Sequence, residues 1–168
     1  MQNPPIVSIV GRPNVGKSSL FNRFLNQRVA VTDGQPGVTR DRLYRTMEWN
    51  GKRFTLVDTG GMTVRPRTGI DTQVNEQIRL ALAESAQILF IVDGTTGITQ
   101  EDLSFARELK RQGKPVLLVV NKIDNQQQED NRHIFHRLGL GEPYPISALH
   151  GRNAADLLDR LCDGLPAA

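Results

Sequence analysis

The sequence is poor in cysteine, in aromatic residues and in long apolar runs. A single cysteine, Cys162, excludes an internal disulfide. No apolar run approaches the ~18 residues of a membrane span, and the first residues lack the charged-then-apolar pattern of a secretion signal. Internal repeats and low-complexity tracts are also missing. These absences predict a cytoplasmic chain of 168 residues with one globular core and no membrane partner.

The most specific motif is GRPNVGKS at residues 11–18, which we call the phosphate loop because it fits G-x-x-x-x-G-K-[ST]. The apolar run 6–10 before it predicts a buried strand, and apolar residues from Leu20 onward recur at helical spacing. A strand that leads through a glycine-rich turn into a helix directs backbone N–H groups and the helix dipole at one point. The predicted polyphosphate-binding residues are Asn14, Val15, Gly16, Lys17, Ser18 and Ser19.

A second polar motif, NKID at residues 121–124, follows the apolar run 116–120, and we call it the guanine loop. The Asp124 carboxylate can accept from both the ring N–H and the exocyclic amine of guanine. Adenine lacks that donor pair and would leave a charge unpaired. The aliphatic stem of Lys122 can cover a face of the base, and Asn121 can tie this loop to the phosphate loop. The motif therefore favours guanine over adenine.

A third loop completes the predicted base site. Ser147 and Ala148 follow a short strand candidate at residues 143–146, with Leu149 beside them. At the end of that strand, backbone N–H groups can point at the guanine oxygen. We therefore include all three residues among the predicted nucleotide-binding residues.

The acidic residue Asp58 ends the apolar run 54–57, where it is placed to hold Mg²⁺, usually through water. Gly61 can bring its N–H close to the terminal phosphate, because glycine lets the backbone approach. Upstream, Thr39 is a candidate for a second Mg²⁺ hydroxyl beside Ser18, and the alternative is an ordinary loop threonine. The predicted Mg²⁺ ligands are Ser18, Thr39 and Asp58.

The order of elements predicts an α/β fold with a mostly parallel six-stranded sheet, one antiparallel strand and helices on both faces. Asn50-Gly51 predicts a hairpin between strands at 41–49 and 52–57. Thr99 with Asp102 predicts the start of a helix. Each motif then lies at the carboxyl end of a strand, where such sheets bind ligands. Further strands are expected at 88–92 and 116–120, and helices near 17–26, 71–85, 99–112, 127–138 and 152–163.

Together the loops resemble the five guanine-nucleotide motifs of small-GTPase-like P-loop proteins, in order across about residues 6–153. The wording GRPNVGKSSLFNR, PGVTRD, DTGG, NKID and LGLGEPYPISALHGRN resembles the first G domain of the Der (EngA) family of bacterial tandem-domain GTPases, whose relatives include Era and MnmE. The resemblance implies a P-loop NTPase G domain over residues 1–165. It also implies the start of a linker at 166–168, leading to a second G domain and a C-terminal domain.

The resemblance implies Mg²⁺-dependent GTP binding and hydrolysis, acting as a molecular switch in assembly of the large ribosomal subunit. Expected partners are GTP and GDP, and the large subunit or its rRNA through the full-length protein. The alternative is a regulatory GTP-binding module with negligible turnover that controls a neighbouring domain. An ATP-dependent enzyme is disfavoured by Asp124.

The chain departs from the small-GTPase pattern at one position that concerns hydrolysis. Many small GTPases place a glutamine after the DxxG motif to orient the attacking water, and this chain has Met62 there. Asn14 resembles the loop asparagine that helps bind K⁺ in relatives such as MnmE, so K⁺-stimulated hydrolysis is our hypothesis. An arginine supplied by a partner is the rival explanation. The predicted catalytic residues are Lys17, Thr39, Gly61 and Asn14.

Charge is unevenly distributed: residues 1–67 carry 11 Lys and Arg against 4 Asp and Glu. A solvated basic face explains this, and an rRNA-facing or acidic-partner-facing patch is the sharper alternative. His133 and His136 have a spacing that could bind metal, but without a third ligand we interpret them as a surface helix. The basic residues in question are Arg28, Arg40, Arg42, Arg45, Lys52, Arg53, Arg65 and Arg67.

Overall fold

A computed structural model describes residues 3–26, 43–62 and 75–166. In those ranges it contains six strands and four α-helices, together with 3₁₀ segments at Thr59–Met62 and Gln126–Leu138. The strands are β1 (Ile6–Val10), β2 (Tyr44–Trp49), β3 (Lys52–Asp58), β4 (Ser85–Asp93), β5 (Val116–Asn121) and β6 (Tyr144–Pro145). The helices are α1 (Lys17–Asn26), α2 (Glu76–Glu84), α3 (Gln100–Gln112) and α4 (Ala154–Asp163).

The strands form one sheet in the order β2-β3-β1-β4-β5-β6. Only the β2–β3 pair is antiparallel among these strands, which confirms the predicted sheet. The hairpin turns through Asn50 at φ 53° and Gly51 at φ 73°, the left-handed pair that a type I′ turn requires. The phosphate loop, Asp58 and the guanine loop lie at the carboxyl ends of the parallel strands β1, β3 and β5, along one edge of the sheet.

Apolar side chains cover both faces of the sheet. On one face, α1 and α4 pack with buried residues such as Phe24 and Leu161 against β1 and β3. On the other, α2 and α3 pack with buried residues such as Leu82 and Phe105 against β1 and β4. Cys162 is buried in the first cluster, and burial raises the pKa of its thiol to about 11. The cysteine is therefore a packed helix residue, as predicted.

Two helix boundaries depend on capping. Thr99 accepts from the Asp102 backbone N–H, while Asp102 accepts from the Thr99 N–H, so the predicted capping box is confirmed at the start of α3. Asn75 caps α2 with a single bond, in which its side chain accepts from the Ile78 N–H. Residues 71–74 of the predicted helix lie outside the described residues.

Other boundaries differ from the sequence expectation. Helix α2 ends at Glu84 because Ser85 already begins β4, and its hydroxyl bonds back to the Ala81 carbonyl. The stretch predicted as a helix near 127–138 is a 3₁₀ helix, in which the Gly139 N–H bonds to a carbonyl three residues earlier. Helix α4 begins at Ala154, since Arg152 pairs with Ser147 in an isolated bridge. In the described part of the chain, no helix is long and apolar enough to cross a membrane.

Candidate functional site

The phosphate loop depends on two glycines with left-handed backbone. Gly11 has φ 155°, and a Cβ there would lie 2.5 Å from the Ile91 carbonyl oxygen. Gly16 has φ 105°, and its Cβ would lie 2.1 Å from Nδ2 of Asn121. Both positions therefore exclude a side chain, because the neighbouring strand and the guanine loop approach the backbone too closely.

Lys17 lies inside the turn of the phosphate loop. Its Nζ donates to the carbonyl oxygens of Gly11 and Arg12, at 2.7 Å each. The side chain is buried, and burial lowers the pKa of the ammonium to about 8, although the nearby Asp58 carboxylate opposes that shift. An ammonium held in this way is a strong partner for an anion, because an added negative charge would offset its lost hydration.

Ser18 and Asp58 come together from different elements. The Ser18 hydroxyl donates to Oδ2 of Asp58 at 3.4 Å, while Oδ1 of Asp58 accepts from the Gly60 N–H at 2.9 Å. Hydroxyl and carboxylate oxygens are the ligand types that Mg²⁺ prefers, so this donor set fits the ion. The predicted third ligand, Thr39, lies outside the described residues.

A cleft of about 650 Å³ follows the phosphate loop and reaches both Gly60 and the guanine loop. Gly60 approaches the loop closely, since a Cβ there would lie 2.9 Å from Cε of Lys17. At the next position, a Cβ on Gly61 would meet the side chain of Leu43. Six predicted nucleotide-binding residues line the cleft, namely Asn14, Gly16, Lys17, Ser18, Ser19 and Lys122.

Asn121 connects three loops. Its Nδ2 donates to the carbonyl oxygen of Val15 at 2.9 Å, which is the predicted tie to the phosphate loop. Its Oδ1 accepts from the Ala148 N–H at 2.9 Å. The Ala148 donor that was predicted for the guanine oxygen is therefore engaged within the protein, and a guanine oxygen would have to share it.

Asp124 is half-exposed and held from two sides. The Ser147 hydroxyl donates to its Oδ1 at 2.9 Å, and its backbone N–H donates to Oε1 of Gln128 at 2.7 Å. Nε2 of His150 lies 3.8 Å from the same Oδ1. The Ser147 bond thus orients the carboxylate through Oδ1, while the Gln128 bond holds the backbone of Asp124.

Two arginines that sequence reasoning did not single out support these loops. Arg23 on α1 donates to the carbonyl oxygens of Ala148 at 2.9 Å and Leu149 at 2.5 Å. Arg12 donates to the Thr96 hydroxyl at 2.9 Å, and its Nε lies 3.6 Å from Oδ1 of the buried Asp102. Burial raises the pKa of that carboxyl. No local sequence pattern predicts either contact, because both join residues that are far apart in the chain.

Other residues discussed in the sequence analysis contact the protein's own core or backbone and not the cleft, or lie outside the described residues. Met62 is 2% exposed and packs in the core with α2, so its side chain does not face the cleft. Lys52, from the basic set, donates to carbonyls at the end of α4. Arg45 and Arg53 lie in the hairpin strands, and the other members, Arg28, Arg40, Arg42, Arg65 and Arg67, lie outside the described residues.

The two histidines stack with ring centroids 5.8 Å apart, and Nε2 of His136 lies 3.1 Å from Glu142. That hydrogen bond raises the pKa of His136. Across residues 3–26, 43–62 and 75–166 there is no group of three His, Cys, Asp or Glu side chains that could hold a metal ion. The side chains of His133 and His136 are 53% and 45% exposed, so both lie on the surface of the 3₁₀ helix.

Comparison with known proteins now identifies the family. The model of the 50S ribosome-binding GTPase family matches residues 6–122. The GTPase Der of Moorella thermoacetica is 53% identical over 163 residues, which are 97% of this chain and 37% of that protein. The chain thus spans little more than a third of the length of this relative.

Two solved structures of Era share the fold. Aquifex aeolicus Era bound to GDP and aluminium fluoride has a TM-score of 0.73 and 29% identity, and the match covers 99% of this chain and 58% of that one. Era in complex with MgGDPNP and nucleotides 1506–1542 of 16S ribosomal RNA has a TM-score of 0.73 and 31% identity, with 100% and 59% covered. The chain therefore belongs to the 50S ribosome-binding GTPase family, and within it fits the first G domain of the GTPase Der branch.

Proposed function

We propose that this domain binds GTP with Mg²⁺, hydrolyses it, and acts as a molecular switch in assembly of the large ribosomal subunit. The observation that carries the proposal is the link through Asn121. This side chain joins the loop of the base-reading Asp124 to the phosphate loop of Lys17 by a 2.9 Å bond. A base site and a phosphate site on one edge of the sheet suit a single nucleotide.

The base contacts follow from hydrogen-bond chemistry. Asp124 accepts from the ring N–H and the exocyclic amine of guanine, the stem of Lys122 covers one face, and the loop of Ser147, Ala148 and Leu149 surrounds the guanine oxygen. The Ser147 bond keeps the carboxylate oriented before the nucleotide arrives. An adenine base lacks the pair of donors that guanine offers to this carboxylate, and the loss of those two bonds is costly.

The phosphate contacts divide between backbone and side chains. The N–H groups of residues 14–19 surround the phosphates at the start of α1, where the helix dipole favours an anion. Lys17 neutralises the β- and γ-phosphate oxygens, and Gly61 directs its N–H at the γ-phosphate. Ser18, Thr39 and Asp58 would hold Mg²⁺, and the bound ion would supply positive charge for phosphoryl transfer.

Met62, the residue after the DTGG motif, is buried in the core. Hydrolysis therefore needs another group to assist the attacking water. We propose that Asn14 helps to hold K⁺ near the phosphates. In support, Asn14 lines the cleft with left-handed backbone at φ 70°, while its carbonyl is bonded to Lys122, so the side-chain amide remains for an ion. An arginine from a partner is the rival source of charge.

The cellular role rests on the family. The family's description names the 50S ribosome, and an Era structure contains 16S ribosomal RNA. We propose that the large subunit or its rRNA is engaged through a longer cytoplasmic protein with a second G domain and a C-terminal domain. In that protein, we expect GTP and GDP to bias segments 28–39 and 60–72, because they carry Thr39 and Gly61, the residues predicted to act at the γ-phosphate end.

The direct test is hydrolysis of GTP with Mg²⁺ in KCl and in NaCl, with ATP as the control nucleotide. Turnover of GTP alone, faster in KCl, is the expected result. Equal rates in the two salts would reject the role of K⁺ at Asn14. Tight GTP binding without turnover in either salt would instead support the regulatory module. The buried Met62 favours that alternative, because it cannot orient the attacking water.

A substitution of Asp124 tests the preference for guanine. Asp124→Asn replaces an acceptor with a donor, so the affinity for GTP should fall by about 10²–10⁴-fold while xanthosine triphosphate, with a carbonyl in place of the amine, should bind better. The matched control is Asp130→Asn, because the Asp130 side chain is 90% exposed. If Asp124→Asn keeps the wild-type affinity for GTP, the assignment of Asp124 to guanine recognition is wrong.

A further inference from the structure

Asp93, the last residue of β4, is a buried acid that the motifs do not include. Its side chain is 5% exposed, and both carboxylate oxygens have partners. Oδ1 accepts from the backbone N–H of Thr95 at 2.8 Å and from its hydroxyl at 2.6 Å, while Oδ2 lies 2.9 Å from Nζ of Lys122. Burial opposes ionisation, but the bonds from Thr95 and Lys122 outweigh it and hold the pKa of this carboxyl below its ordinary value.

Lys122 is held at both ends. Its backbone is left-handed at φ 69°, which is uncommon for a residue other than glycine. Its ammonium contacts Asp93 and also donates to the carbonyl oxygen of Asn14 at 3.1 Å. The side chain is 42% exposed, so without these two contacts a flexible four-carbon stem would sample many rotamers.

The backbone brings the two strand ends into a fixed relation. Asp93 is in parallel register with Asn121, and the Gly94 N–H donates to the Asn121 carbonyl at 2.8 Å. The carboxylate is therefore anchored independently of the lysine that it contacts. Thr95 sets the direction of the carboxylate, and the carboxylate in turn sets the direction of the Lys122 stem.

We propose that Asp93 is a positioning residue for guanine-nucleotide binding, which holds the Lys122 ammonium so that the stem of Lys122 forms the floor of the base site. This inference rests on the proposed function, since it assumes that the stem of Lys122 covers the base. Asp93 itself does not touch the nucleotide. Its effect passes through the ammonium and the stem of Lys122 to the base.

The test is Asp93→Asn, which keeps the shape and an acceptor for Thr95 but removes the charge that holds Lys122. We expect about a tenfold loss in affinity for GDP. Inosine diphosphate should lose the same factor, because it offers the same base face and lacks only the amine that Asp124 reads. Tripolyphosphate, which has no base, should bind as it does to the wild type.

A double-mutant cycle isolates the route through Lys122. In Lys122→Met the stem remains and the ammonium is gone, so adding Asp93→Asn should cost no further GDP affinity. Thr95→Val, which removes one of the bonds that orient Asp93, should give a smaller loss in the same direction. It also provides a second variant if Asp93→Asn does not fold, as judged from thermal unfolding.

The outcomes separate the two proposals. If Asp93→Asn binds GDP like the wild type, loses tripolyphosphate equally, or adds its full effect to Lys122→Met, the positioning role is overturned. If the wild type does not prefer GDP to ADP, the proposed function fails and the role of Asp93 fails with it. A GDP-selective wild type with equal losses for GDP and inosine diphosphate and a non-additive cycle supports both.

Discussion

The base end and the phosphate end of the site are built differently. At the base end, polar side chains already have partners within the protein. Asn121 bonds to the Val15 carbonyl and the Ala148 N–H, and the Ser147 hydroxyl bonds to Asp124, all at 2.9 Å. At the phosphate end, Lys17 bonds to carbonyls of its own loop, and the Ser18–Asp58 bond is long at 3.4 Å. The base end is thus preorganised, whereas the phosphate end holds charged groups whose partners must change when an anion binds.

Charge and burial explain the difference. At the base end, the Asn121 amide and the Ser147 hydroxyl bond to neighbouring groups. The Lys122 ammonium is paired with the Asp93 carboxylate at 2.9 Å, so the base end is completed within the protein. An ammonium buried at a loop of carbonyls keeps part of its desolvation penalty, as the lowered pKa of Lys17 indicates. An anion would relieve that penalty, and the phosphate end therefore gains more from the ligand than the base end does.

The largest expected effect comes from Gly16, where the two ends meet. Gly16→Ala places a Cβ 2.1 Å from Nδ2 of Asn121 on a left-handed backbone, which should abolish detectable GDP binding and lower the free energy of unfolding by about 2–3 kcal/mol. Titration with GDP and chemical denaturation check this. Gly51→Ala is the control for the backbone strain alone, because nothing lies within 4 Å of its Cβ. Equal effects at both positions would contradict the crowding argument.

Lys17→Ala should separate binding from stability. We expect a loss of about 10²–10³-fold in GDP affinity, because a charge-assisted contact disappears. The free energy of unfolding should not fall, since a desolvated ammonium is removed as well. Calorimetry and denaturant unfolding measure the two quantities. Lys114→Ala, in the loop after α3, is the control, and a matching loss of affinity there would show that net charge alone matters.

The pH dependence of Lys17 has opposite signs for stability and binding. Its pKa is about 8 in the fold against an ordinary 10.5, so between these pH values the unfolded chain binds more protons, and this group makes stability rise with pH. GDP affinity should fall over the same interval, by up to about tenfold per pH unit, because binding requires the charged form. Unfolding and titration from pH 7 to 10 on the wild type and Lys17→Met check this. An unchanged slope in the variant would reject the assignment.

The smallest effect is expected at the preorganised end. Arg23→Ala removes donors to the carbonyls of Ala148 and Leu149 but leaves the Asn121 and Ser147 bonds in place, so GDP affinity should fall only about fivefold. Arg107→Ala is the control, because Arg107 contacts only the neighbouring Ser104 hydroxyl among the bonds of the described residues. A loss as large as that of Lys17→Ala would mean that the base end is not preorganised.

The sequence by itself determined the features that depend on local chemistry. The phosphate loop and the guanine loop could be predicted because their chemistry requires particular residue types at fixed short spacings. The turn at Asn50-Gly51 and the capping box of Thr99 were readable because their bonds join residues at most three apart. The parallel sheet followed from apolar strands alternating with helical stretches, which also placed every motif at one edge.

Only the tertiary structure decided the contacts between distant segments. Asp93 meets Lys122 across 29 positions, and Arg23 meets Ala148 across 125, so no local pattern contains either pair. The early start of β4 at Ser85 likewise depends on the Ser8 hydroxyl 2.7 Å away in β1. Spacing rules reach about one helical turn or one hairpin, whereas these bonds exist only after the sheet has brought its strand ends together.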